Sequence, residues 1–108
     1  MKKKSSEKTT ILFCRDKYEN LETQKLRLAD YTHIMKVKVF DFYMERMDCG
    51  ESLDRWTLEK LIAQIKRGEV LRIATTDIFQ ISCYPEVQSE FKMLLEKHNV
   101  ELADLSET

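Results

Sequence analysis

No apolar stretch in this sequence approaches the roughly 20 residues that a membrane-crossing helix needs. The apolar run nearest the amino end, Ile11 to Cys14, is also far too short for the core of a secretory leader, and no cleavage site follows it. A cytoplasmic protein is expected. Cysteine is scarce: the three at positions 14, 49 and 83 form no close pair, which fits reduced thiols and argues against a disulfide framework or a zinc site. The two histidines, His33 and His98, are isolated at the ends of expected helices, so no metal centre is expected. A surplus of basic charge is lacking too. Eighteen Lys plus Arg against nineteen Asp plus Glu leave a net charge of −1, which argues against a free-standing nucleic-acid clamp. No pair of carboxylates stands out for acid and base work. No Gly-rich or Ser/Thr-rich phosphate loop follows the first strand, nor does the acidic pair of a receiver domain. No cofactor is expected.

What is present is an alternation of two hydrophobic periods along 108 residues, a length that makes one domain with a modest core. Residues 1–9 are polar and basic and read as a disordered leader. Ile11-Leu12-Phe13-Cys14 is the continuous run of a strand buried on both faces. Leu21, Leu28, Tyr31 and Met35 recur at helical spacing from Asn20 onward. Val37 to Tyr43, rich in β-branched and aromatic residues, reads as the second strand. A loop from Met44 to Ser52 precedes a helix that Asp54 would cap, with Leu58, Leu61, Ile62 and Ile65 inward and Gly68 closing it. Val70 to Thr75 is the third strand. After an irregular connection over Asp77 to Cys83, Pro85 opens a third helix with Val87, Phe91, Leu94 and Leu95 inward and Asn99 as a left-handed stop. Val100 to Leu105 makes a last short strand. This order predicts a three-layer α/β fold, a mainly parallel four- or five-stranded sheet with helices on both faces. In such a sheet chemistry belongs outside the carboxyl ends of the strands. Those ends are Arg15 to Glu19, Met44 to Ser52 and Thr76 to Ser82.

The same three loops carry a family likeness. Phe13-Cys14-Arg15-Asp16-Lys17, the glutamine-bearing helix start Leu21 to Leu26, the stretch Glu45 to Arg55 with its Cys49-Gly50 and Asp54-Arg55 pairs, and Asp77-Ile78-Phe79-Gln80-Ile81 follow one another in order. Over residues 10–107 this arrangement resembles the catalytic domain of the serine recombinases, the resolvase and invertase family, and implies their fold. Gly50 through Arg55 is the most specific piece. The family's pattern is aromatic-x-Arg-hydrophobic-Ser at the first strand, Ser-Gly and Asp-Arg around the second loop, and Asp-Arg-x-x-Arg after the third strand.

The resemblance implies attack on a DNA phosphodiester by a serine hydroxyl, with arginines stabilising the phosphate. Here Lys17 stands at the nucleophile position, and Ile78 and Ile81 stand where two arginines belong. A lysine ammonium is no nucleophile near pH 7 unless strongly desolvated, and the polar stretch Asp16 to Glu19 gives no sign of that. Arg15 and Arg55 match phosphate-binding arginines, and Asp77 their acidic partner. The alternative for each is structural: Arg15 paired with Asp16 or Asp77, Arg55 with Glu59 one helical turn on, Asp77 as a turn cap. Cys49 reads as a tolerated serine replacement, since Asp48 and Glu51 would raise its pKa. Cys14 reads as a core residue and Trp56 as packing. The expected function is a recombinase-domain homologue that no longer cleaves DNA and serves as a regulatory or interaction module. Its expected contacts are weak ones to DNA phosphate and a recombinase-like partner or second copy, with neither membrane nor small-molecule cofactor. The competing reading is an active strand-exchange enzyme using Cys49 or Ser52 as nucleophile. The family's long dimer helix and helix-turn-helix reader lie beyond the span matched, which ends before Thr108. Specific DNA recognition is therefore not expected of this stretch.

Overall fold

The first strand, β1 (Thr9–Arg15), is buried along its whole length, as a continuous apolar run between two neighbouring strands must be. A computed structural model describes residues 8–46 and 50–107, so Cys49, like the start of the leader, lies outside the described residues. The remaining elements are α1 (Leu21–Ile34), β2 (Phe40–Glu45), α2 (Trp56–Lys66), β3 (Val70–Thr75), α3 (Pro85–Lys97) and β4 (Glu101–Asp104). Short 3₁₀ turns occupy Ile78–Gln80 and Leu105–Glu107. Among the described residues the sheet has four strands in the order β2-β1-β3-β4, all parallel. No helix among them is long and apolar enough to cross a membrane.

Alternation along β1 divides the core into two layers. Ile11 and Phe13 pack with Leu58, Leu61 and Ile65 of α2 and with Phe91 and Leu95 of α3. Leu12 and Cys14 point the other way and meet Leu28 of α1 and Ala74 of β3, with Leu21 and Tyr31 at the margin. The expected three-layer α/β architecture is therefore the one observed. Burial pushes the Cys14 thiol up to about 11, with a small opposing pull from Lys25, so the thiol behaves as a small apolar core group.

Local signals account for most element ends. The Asn20 side chain accepts from the Thr23 backbone N–H at 2.8 Å and caps α1. Gly68 and Asn99 take left-handed backbone after α2 and α3, at φ of +75° and +58°. Four expectations shift. Thr9, read as the end of a disordered leader, is buried and opens β1, where the ladder with β3 pairs it with Val70. Met35 is not part of the inner stripe of α1 but its exposed C-cap. The second strand runs over Phe40–Glu45, because the chain leaves α1 through Lys36 in left-handed backbone and pairs with β1 from Thr10↔Phe40 to Arg15↔Glu45. Asp54 does not cap α2. Arg55 holds that place, with its side chain drawn to Glu45 and the Ile81 carbonyl, while Asp54 accepts from the Ser52 hydroxyl.

Strand order reverses at β1, whose neighbours β2 and β3 are reached by connections over opposite faces. In a parallel sheet that reversal leaves a crevice beyond the strand ends. It places the segments after β1, β2 and β3 side by side.

Candidate functional site

Three arginine and lysine side chains meet two glutamates at this end of the sheet. Arg15, the last residue of β1, is wholly buried, which is rare for an arginine. Its backbone is clamped by Gln24 of α1, itself buried. The Gln24 side-chain oxygen accepts from the Arg15 N–H at 3.1 Å, and its amide nitrogen donates to the Arg15 carbonyl and to that of Glu19. The Arg15 guanidinium is thereby fixed against the second loop. Nη2 donates to the Gly50 carbonyl and, at 3.3 Å, to Glu51 Oε2, while Nε lies 3.9 Å from Glu45 Oε1. Nε and Nη1 have no hydrogen-bond partner among the described residues.

Glu45, at the end of β2, belongs chiefly to Arg55. Arg55 Nε donates to Glu45 Oε2 at 3.1 Å and Nη2 donates to Oε1, a two-point contact between side chains that are almost completely buried. Arg55 Nη1 reaches the Ile81 carbonyl. The pairings expected from neighbouring positions are thus corrected. Arg55 bonds Glu45 instead of Glu59, and Arg15 faces Glu51 and Glu45 instead of Asp16 or Asp77, because the ends of adjacent strands lie closer to these groups than their own elements do. Asp77 takes the turn-capping role: its carboxylate accepts from the Phe79 N–H at 2.9 Å, and it pairs with no arginine among the described residues.

Lys17 lies beside this pair, with its ammonium donating to Glu51 Oε2. That hydrogen bond raises the Lys17 pKa, burial opposes it, and the Glu51 charge raises it further. The group is therefore a cation across the neutral range. Glu51 Oε1 accepts from the Cys83 backbone N–H at 2.8 Å. Burial pushes the Glu51 carboxyl up, but the Lys17 and Cys83 hydrogen bonds and the charges of Arg15 and Lys17 outweigh it and hold the pKa at about 2. Gln80, also buried, ties the third segment to the first through its amide, which donates to the Lys17 carbonyl at 2.8 Å. Tyr18, exposed at φ +70°, sets its ring edge-to-face on Phe79 with centroids 5.9 Å apart.

Ile78 and Ile81 lie in the core cluster with Phe91 and Leu95. Ser52 is exposed, and its hydroxyl is directed to Asp54. Trp56, expected to pack, is 75 % exposed with the Lys60 ammonium 4.7 Å from its ring centre. No group of three metal-binding side chains occurs among the described residues.

The comparisons with known proteins point in one direction. The chain superimposes on the N-terminal catalytic domain of TP901-1 integrase with a TM-score of 0.80 at 20% identity, over 93% of this chain and 78% of that one. The fold is that of a serine recombinase catalytic domain. The C-terminal catalytic domain of ISC1926 TnpA, an IS607-like serine recombinase, gives a TM-score of 0.70 at 16% identity, covering 90% and 69% of the two chains. A resolvase family site-specific recombinase from Streptococcus pneumoniae gives 0.70 at 16%, covering 94% and 74%. No family model and no curated protein matches the sequence. On this recombinase fold the sequence motifs converge as their order implied: Arg15, Lys17, Arg55 and the 76–83 segment share one end of the sheet. Glu51 and Gln80 are the residues that the sequence left unassigned. Only Gly50, which places Glu51 opposite the end of β1, marks the spot, and no periodicity joins positions 34 residues apart.

Proposed function

We propose that this chain is a serine recombinase-type domain that does not cleave DNA and that serves as a regulatory or interaction module. One observation carries the reading. The three positions at which the resemblance requires a serine and two arginines hold an ion-paired lysine and two core isoleucines. Lys17 offers no hydroxyl, and its amine is kept protonated by Glu51. Ile78 and Ile81 contribute apolar area to the core and no charge to a phosphate. Loss of a nucleophile alone costs on the order of a million-fold in well-studied hydrolases. Two missing phosphate-stabilising donors add a few kcal/mol each to the barrier.

Arg55 supports the same reading, since all three of its nitrogens bind Glu45 or the Ile81 carbonyl. The partner is then a recombinase-like protein or a second copy, with DNA phosphate contact weak. Ser52 as a replacement nucleophile is disfavoured by its exposed position, where its hydroxyl hydrogen-bonds to Asp54 and, among the described residues, to none of Arg15, Lys17 and Arg55.

The experiment is incubation of the purified chain with supercoiled plasmid, followed by denaturing electrophoresis for a covalent protein–DNA adduct. No adduct and no nicking are expected, at a detection limit several thousand-fold below an active recombinase. An adduct abolished by Ser52→Ala or Cys49→Ala would establish the active-enzyme reading instead.

A further inference from the structure

The Glu51 carboxylate sits where an external anion would be expected to sit. Its Oε2 accepts from Lys17 Nζ and from Arg15 Nη2 at 3.3 Å, and its Oε1 accepts from the Cys83 N–H at 2.8 Å. Two cations and a backbone amide converging on one pair of oxygens is the cradle that proteins build for oxyanions. The fit is incomplete in an informative way. A carboxylate has only two oxygens in one plane, and Arg15, fully buried, keeps Nη1 and, 3.9 Å from Glu45, Nε without a hydrogen-bond partner among the described residues. A tetrahedral oxyanion has further oxygens to offer those donors.

Charge points the same way. Arg15, Lys17 and Arg55 against Glu45 and Glu51 leave one net positive charge, and without Glu51 two. The rest of the cradle would survive that loss. Gln24 holds the Arg15 backbone, Gln80 holds the Lys17 carbonyl, and neither contact involves Glu51.

We propose that Arg15, Lys17 and the Cys83 amide form an oxyanion pocket of the phosphate class that Glu51 occupies as a tethered internal anion, so that the wild-type chain excludes phosphate until Glu51 is displaced. A tethered competitor acts at an effective concentration of millimolar or above, which phosphate in solution must exceed. The inference rests on the proposed function only in placing this pocket at the recombinase-type site; it requires no cleavage and no DNA sequence.

The test is a titration of wild type, Glu51→Ala and Glu51→Ala/Lys17→Met with inorganic phosphate at constant ionic strength, followed by the backbone amide resonance of Cys83. Glu51→Ala is expected to bind phosphate at least tenfold more tightly than wild type, and the double variant to lose that gain. Equal affinity in wild type and Glu51→Ala, or a gain that survives Lys17→Met, overturns the proposal. If Glu51→Ala does not fold, Glu51→Gln, which keeps the side-chain volume, takes its place with at least a threefold gain required. A parallel titration with a 20-base-pair duplex separates the sources. A gain for the duplex as well as for phosphate assigns the pocket to a nucleic-acid backbone, and a gain for phosphate alone assigns it to a free anion. A phosphate result against the pocket leaves the cleavage reading standing, and an adduct in the plasmid assay leaves the pocket standing.

Discussion

Glu45 carries two arginines on one buried carboxylate, and Arg55 is the one it holds at two points. Removing a single member of such a cluster strands a charge in the interior, which costs far more than the intact pair contributes. Glu45→Ala should therefore lower the free energy of unfolding by about 3–5 kcal/mol, measured by urea titration at pH 7. Replacing both partners, as Glu45→Leu with Arg55→Met, should recover part of that loss; an equal or larger deficit in the double variant would contradict the argument. Glu51 makes a different prediction because it titrates. Its pKa falls from an ordinary 4.5 to about 2, so its contribution to stability is complete above about pH 4.5 and is lost as the pH drops through about 2. Solvent screening keeps the contribution at neutral pH to about 1–2 kcal/mol. The stability difference between wild type and Glu51→Gln should be largest at pH 6 to 7 and close towards pH 2. A constant difference across that range would remove the ion pairs from the explanation.

Strands β1 and β2 show how one register pair can differ in consequence. Leu12 is paired with Phe42 across the ladder, yet Leu12 is fully buried and Phe42 is 38 % exposed, because α1 covers the centre of the sheet and leaves its β2 edge open. Leu12→Ala should cost about 2–5 kcal/mol and Phe42→Ala about 1–2 kcal/mol by thermal or urea unfolding. A similar loss at both positions would mean that the edge is covered in solution. The same difference explains which elements were legible. The central strands β1 and β3 lie between two neighbours, β1 wholly buried and β3 exposed only at Leu71, so their apolar runs read correctly from composition alone. Edge strand β2 has one open face, its outward Phe40, Phe42 and Met44 imitate a buried run, and its limits follow the ladder with β1. Helix ends with a local device, Asn20, Pro85, Gly68 and Asn99, were readable because the device lies within a turn of the end it sets. The start of α2 was not, since the pull on Arg55 comes from Glu45, ten residues earlier on another element.

For the molecule as a whole, the core on the α1 side holds a thiol that reports on global opening. Cys14 is completely buried with its pKa raised to about 11. In a Cys49→Ser/Cys83→Ser background, labelling by a thiol reagent at pH 8 should proceed only at the rate set by global unfolding and should accelerate in parallel with Glu45→Ala destabilisation. Labelling faster than unfolding would place β1 outside the stable core. The sequence by itself determined the order of the elements, the parallel sheet and the recombinase likeness, because each rests on periods, caps and motifs that act within a few residues. The resemblance also sets Lys17, Ile78 and Ile81 at the positions where it would imply a serine and two arginines. Only the tertiary structure decided what those residues do instead. Lys17 meets Glu51, Arg55 meets Glu45 and the Ile81 carbonyl, and Ile78 and Ile81 enter the core. The physical reason is that partners 10 to 36 residues apart are brought together by strand order and ladder register, and pairing at such separations between different elements leaves no period in the chain.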